Sequence, residues 1–197
     1  MALKVASRSQ IPAFMVMDVL RAANARAAAR KAVYHLEVGQ PGTGAPQGVI
    51  EAARRALTDD RIGYTEALGI PELRQAVAQH YRDCYGLALD PARVVVTTGS
   101  SGGFVLAFLA AFDAGDRVAL ASPGYPCYRN ILSALGVEPV CLPAEAADRF
   151  QPTPELLDRA RRDGRLDGLI VASPSNPTGT MLQRDELRTL ADYCAQH

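Results

Sequence analysis

Three short stretches of this sequence gather side chains able to hold a charged or polar ligand. TTGSSGG, residues 97–103, sets two threonines, two serines and three glycines at the start of an apolar helical pattern. At such a junction backbone N–H groups, hydroxyls and the positive end of the helix dipole converge, which suits an anion, and a phosphate above all. An ordinary serine N-cap, with glycines for close packing, is the plainer alternative. SPGYPCY, residues 122–128, stiffens its loop with Pro123 and Pro126 around Tyr125, whose ring can stack on a planar ligand or simply pack. ASPSNPTGT, residues 172–180, carries Asn176, whose amide both donates and accepts. There an Asx-turn that only shapes the loop is the alternative. Taken together, a phosphate seat, an aromatic plate and an amide describe a flat, phosphorylated aromatic ligand that bears an oxygen. Neither GxGxxG nor GK[ST] occurs, so the glycines belong to no dinucleotide fingerprint or P-loop.

These stretches recur at fixed places in an alternating pattern. VVVTT, RVALAS, EPVCL and GLIVAS are short apolar runs of the kind expected of strands covered on both faces, each followed by a helical pattern. The helices are SGGFVLAFLAAF, YPCYRNILSAL closed by Gly136, and PELLDRARR opened by Thr153 and Pro154 and closed by Gly164. A βαβαβαβα order predicts an α/β fold, three layers α/β/α around a mainly parallel sheet. Open parallel sheets bind ligands beyond the carboxyl ends of their strands, which is where the three stretches fall. Ahead of them MVMDVLRAANARAAARK, PQGVIEAARRAL and PELRQAVAQHYRDCYG read as helices, so the sheet is preceded by a helical N-terminal segment. Residues 1–40 are expected to form an arm or part of a small domain, and 41–197 the first part of the large α/β domain.

Composition narrows the partner. Of 197 residues, 21 are Lys or Arg and 21 are Asp or Glu, so no net field draws the chain to nucleic acid or an acidic membrane surface. No apolar run approaches the ~18 residues of a membrane span, and no apolar h-region opens the chain. Cys84, Cys127, Cys141 and Cys194 form no CxxC pair and stand beside no histidine at metal-ligand spacing, so free thiols in a reducing cytoplasm are expected and a metal is not. His35 opens an expected strand, His80 lies on a helix and His197 is terminal, and each reads as structural or solvated.

In their order and spacing LEVGQPG, YTEALGIPELRQAVAQHY, VVVTTGSSGG, SPGYPCY and SNPTGT make the chain resemble the class I/II aminotransferases, fold-type-I enzymes that depend on pyridoxal 5'-phosphate. The resemblance runs from about Ile11 to His197. It implies that Gly99, Ser100 and Ser101 seat the cofactor phosphate, that Tyr125 stacks on its pyridine ring and that Asn176 hydrogen-bonds its phenolic oxygen. It further implies that Gly39 meets the substrate carboxylate through its backbone and that Tyr64 reaches the cofactor phosphate of the neighbouring subunit in a homodimer. The substrates implied are an amino acid and a 2-oxo acid.

The pattern also departs from the family. Gly102 and Gly103 stand where an acidic residue is usual, and Ser122 where an Asp is frequent. Downstream of Asn176 the resemblance implies an Asp for the pyridine nitrogen, a Tyr near the phenolic oxygen, the Schiff-base lysine and an arginine for the substrate carboxylate, and none of these stands in the 197 residues. One lysine would both hold the cofactor and move the proton. The two lysines present, Lys4 and Lys31, lie far in sequence from the three loops. The expectation is therefore the N-terminal portion of an aminotransferase, inactive alone, with no catalytic residue of its own. A carbon–sulfur lyase of the same fold and a non-catalytic module that keeps the cofactor seat remain the alternatives.

Overall fold

The computed structural model describes residues 4–197, which divide into two compact units: the residues up to Phe14 together with Ser101–His197, and Met15–Ser100.

The first unit is built on a three-stranded parallel sheet of order β2-β1-β3, with β1 Arg117–Ser122, β2 Glu138–Pro143 and β3 Gly168–Ile170. Ala119 faces Val140 on one side and Leu169 on the other, so β1 is hydrogen-bonded along both edges. Its side chains alternate between two faces, as the pleat requires. Val118 and Leu120 pack with Phe108 of α4 (Gly99–Ala111) and Leu132 of α5 (Pro126–Leu135). Ala119 packs with Leu156 and Leu157 of α6 (Pro154–Arg161) and Leu190 of α7 (Arg184–Gln196). Helices therefore cover both faces, and the α/β/α layering expected from the alternating apolar runs is present.

Local chemistry fixes where each helix starts and stops. Pro126 and Pro154 occupy first-turn positions, where a missing N–H costs nothing. Thr153 Oγ1 accepts from the Leu156 N–H at 3.3 Å as the N-cap of α6. Gly136 ends α5 in the left-handed conformation at φ 83°. At the start of α7 the Gln183 N–H donates to Glu186 Oε2 at 2.6 Å, completing a capping box, and Arg149 pairs with the same carboxylate. The backbone bond first, and then Arg149, hold the Glu186 carboxyl below its usual range.

The second unit carries α1 (Met15–Ala28), α2 (Gln47–Asp59) and α3 (Pro71–Tyr85), close to the helices read from the sequence. Gly86 caps α3 at φ 65°. Arg74 Nε donates to the Pro91 and Val94 carbonyls at 3.2 and 3.0 Å and so fastens the following turn to α3.

Two expectations are corrected here. VVVTT, residues 94–98, forms no strand among the described residues. Its apolar, β-branched composition is right, but a strand exists only through a ladder partner. The Val96 N–H instead makes a single bond to the Leu68 carbonyl at 3.0 Å. Val96 also presses on Gly69, where an added Cβ would stand 2.5 Å from Val96 Cγ2 and where φ is +97°. His35 likewise opens no strand. Its Nδ1 lies 2.7 Å from Glu37 Oε1, and that contact lowers the Glu37 carboxyl from its usual value.

Candidate functional site

Parallel pairing sends the loops that follow β1 and β3 out of the same edge of the sheet. The loop after β1 holds Pro123, Gly124 and Tyr125 and turns directly into α5. The Tyr125 ring is flanked at near right angles by Tyr128, 5.4 Å away, and by Phe14 of the N-terminal segment, 6.0 Å away. Asn130 of α5 adds a bond from its Nδ2 to the Pro12 carbonyl at 3.4 Å, tying that segment to the same helix.

Ser101 stands in the first turn of α4. Its Oγ lies 3.3 Å from Cys127 Sγ. Cys127 also neighbours the Tyr125 hydroxyl. Burial first, and then the Cys127 thiol, raise that hydroxyl above the usual tyrosine range, so it stays protonated at neutral pH. Cys127 thus touches the expected phosphate-seat serine and stands two residues from the expected ring plate.

Gly99 and Ser100 are contiguous with Ser101 and open the same helix. Gly99 sits at φ 75°, its N–H donates to the Thr97 carbonyl at 2.9 Å, and Thr97 Oγ1 donates to its carbonyl at 2.8 Å. No heavy atom lies within 4 Å of where a Gly99 Cβ would be. The Gly99 N–H is taken by Thr97, but the Ser100 and Ser101 amides that follow have no acceptor within the helix, and Gly99, Ser100 and Ser101 are all exposed, so this turn offers donors to an incoming anion.

Asn176 is exposed on the loop that follows β3. That loop is closed by its own backbone: the Gly179 N–H donates to the Ser175 carbonyl at 2.8 Å and the Ser175 N–H to the Thr180 carbonyl at 2.9 Å. Ser101 and Tyr125 are therefore brought together through Cys127, and Asn176 shares their edge of the sheet. Gly39 and Tyr64 belong to the second unit, where a Cβ added at Gly39 would meet nothing within 4 Å and the Tyr64 side chain is fully exposed.

Sequence reasoning missed Cys127, Phe14 and Gln151 as parts of this arrangement. Cys127 was legible only as a free thiol, and Phe14 reaches Tyr125 across more than a hundred residues. Gln151 has no marker beyond the prolines around it, yet it is the buried polar residue of the core at 2% exposure. A cavity of about 480 Å³ between α6, β3 and α7 is lined by Leu157, Leu169, Leu190 and Tyr193 among others, and by none of the loop residues above. Among the described residues no cluster of three metal-ligating side chains stands, and no helix is long and apolar enough to cross a membrane.

A profile of the class I and II aminotransferases matches residues 31–197. The valine–pyruvate aminotransferase of Mycobacterium tuberculosis is 54% identical over 191 residues, which are 97% of this chain and 49% of that protein. The aspartate aminotransferase of Pyrococcus horikoshii is 33% identical over 87% of this chain and 44% of its own length. Among solved structures, an aminotransferase from Mycobacterium tuberculosis superposes with a TM-score of 0.92 at 53% identity, covering 99% of this chain and 50% of that one. The Thermus thermophilus aspartate aminotransferase with maleate superposes with a TM-score of 0.91 at 31% identity, over 100% and 51% of the two chains. The chain spans about half the length of the relatives it matches. On a match that reaches from Lys31 to the last residue, the chain belongs to the class I and II aminotransferase family.

Proposed function

We propose that the protein to which these residues belong is a pyridoxal-phosphate-dependent aminotransferase that moves an amino group from an amino acid to a 2-oxo acid. The observation that carries this reading is the meeting of Ser101 and Tyr125 through Cys127 at the carboxyl edge of the sheet. The residues fit the cofactor: exposed first-turn amides and hydroxyls for its phosphate, a ring held at a fixed angle for its pyridine, and an exposed amide for its phenolic oxygen. Pyridoxal phosphate, when bound, supplies the electron sink that the α-carbon chemistry needs. Gly99, Ser100 and Ser101 bind its phosphate, Tyr125 orients its ring, and Asn176 donates to its phenolic oxygen.

Gly39 meets the substrate carboxylate through its backbone. Tyr64 reaches the phosphate of the neighbouring subunit, and its full exposure is what such a role needs. The protein works as a homodimer, with residues 1–40 as an arm and 41–197 as the first part of the large domain. Four free cysteines suit the reducing cytoplasm. Valine and pyruvate are the first donor and acceptor to try, after the relative at 54% identity.

Titrating the chain with pyridoxal phosphate tests the seat. Tyr125→Ala should weaken binding about fivefold, since aromatic stacking contributes about 1 kcal/mol beyond area burial. Ser101→Ala should weaken it by about tenfold or more, through one lost hydrogen bond to a charged group. Unchanged affinity in both variants would make Tyr125 and Ser101 packing residues.

A further inference from the structure

We propose that Gln151 is a positioning residue, one buried amide that sets the turn carrying Asn176; the inference rests on the cofactor reading above. Gln151 follows two residues held in the left-handed region without being glycine, Arg149 at φ 53° and Phe150 at φ 56°, and precedes Pro152 and α6. This bend turns its side chain into the core, where it is 2% exposed. Its Nε2 faces the Thr180 carbonyl at 2.9 Å, the Thr180 Oγ1 at 3.2 Å and the Ala172 carbonyl at 3.3 Å.

Ala172 and Thr180 are the two ends of the nine-residue stretch that holds Asn176. One side chain, donating from a part of the chain 21 and 29 residues away, therefore ties both ends of the loop across its base. The tie is joined to the loop's own bonds. The Thr180 carbonyl accepts from the Ser175 N–H as well as from Gln151, and Thr180 Oγ1 shares a bond with Thr178 Oγ1 at 2.9 Å. Ser173 Oγ accepts from the Leu182 N–H at 2.9 Å and fixes the outgoing chain.

A buried polar side chain is retained at a cost unless its hydrogen bonds are made, and an apolar side chain of equal size would fill the same volume. What the amide adds is direction: it holds loop carbonyls that would otherwise turn to water, and so holds the Asn176 tip in one orientation. The contribution is to orientation; Gln151 itself touches neither cofactor nor substrate.

The test uses Gln151→Met, which keeps the volume and removes the donor, Gln151→Glu, which keeps the shape, and Asn176→Ala. Two quantities are read on the whole chain: hydrogen-exchange protection of the Ser175 and Gly179 amides without cofactor, and the dissociation constant for pyridoxal phosphate. Gln151→Met should lose protection at both amides by about fivefold or more and weaken the cofactor by a similar factor, as expected for one lost buried hydrogen bond. Gln151→Glu carries the discriminating readout. Its protonated acid can still donate to Thr180, whereas its carboxylate faces oxygen acceptors. Burial raises the folded carboxyl above the free value of about 4.3, so protection relative to the native chain should be highest at acid pH, where one of the two ties can be remade, and fall as pH rises through the raised value.

A side chain that only fills space predicts full protection in Gln151→Met, and in Gln151→Glu a loss at high pH spread over the core between α6 and α7 instead of one confined to the Ser175 and Gly179 amides, and either result overturns the inference. If Asn176→Ala weakens cofactor binding while Gln151→Met does not, the inference also fails, with the cofactor reading intact. If Asn176→Ala changes nothing, the cofactor role of that loop falls, and the purpose given to Gln151 falls with it. Should Gln151→Met not fold, the Gln151→Glu series decides alone, because the donor is present at its acid end.

Discussion

Incubated with pyridoxal phosphate, an amino acid and a 2-oxo acid, the 197-residue chain is expected to show no turnover beyond that of the free cofactor. Amino transfer needs an amine to anchor the cofactor and a base to move a proton at the α-carbon, and in this chemistry one lysine serves both ends. A positioned general base alone is worth about 10²–10⁴ in rate, before the loss of anchoring and orientation is counted. The only lysines in these residues are Lys4 and Lys31. Both are exposed, Lys4 ahead of the short turn Ser7–Ser9 and Lys31 just beyond the end of α1. Neither belongs to the three loops proposed to hold the cofactor. Borohydride reduction in the presence of cofactor, followed by mass spectrometry, should find no stoichiometric adduct at either lysine. Full labelling of Lys4 or Lys31 together with measurable amino transfer would show that the chain had recruited a different amine.

The largest stability effect is expected at Leu132. This side chain is 0% exposed, sits in the middle of α5 and packs in the cluster of Phe108, Val118, Leu120 and Val137, with Phe104 and Ile131 around it. It joins the helix that follows Tyr125 to the central strand. Leu132→Ala removes buried apolar atoms and leaves a cavity that a helix locked onto a sheet cannot collapse, a change that costs about 2–5 kcal/mol. The midpoint of urea unfolding should fall accordingly, whereas Arg129→Ala, one turn away and exposed, should move stability by no more than about 0.5 kcal/mol. Equal effects in the two variants would mean that α5 is not packed on β1 as described.

Much of this arrangement is legible in the sequence because it is written locally. Gly86 and Gly136 stop their helices by the left-handed caps their positions announce, Thr153 with Pro154 opens α6, and the two apolar faces of RVALAS settle as the two sides of β1. The misreadings share one cause. VVVTT has the composition of a strand, but pairing is a property of two segments, and no composition names the partner. His35 follows the same logic with Glu37 two residues away. The site divides along the same line. Ser101, Tyr125 and Asn176 lie in motifs whose residue types point to a ligand. Cys127 and Gln151 matter through what they touch across 26 and 29 residues, Ser101 for the thiol and Thr180 for the amide. The bend that buries Gln151 uses left-handed Arg149 and Phe150, a conformation that neither residue type signals.

The central claim is that the start of α4 and the loops after β1 and β3 together hold one molecule of pyridoxal phosphate. Its most direct measurement is a crystal structure of the chain soaked with that cofactor. The phosphate should lie on the amides and hydroxyls of Gly99, Ser100 and Ser101, with the ring against Tyr125 and the phenolic oxygen within hydrogen-bond distance of the Asn176 amide. Cofactor density in the cavity between α6, β3 and α7, or elsewhere with the first turn of α4 empty, would contradict the account.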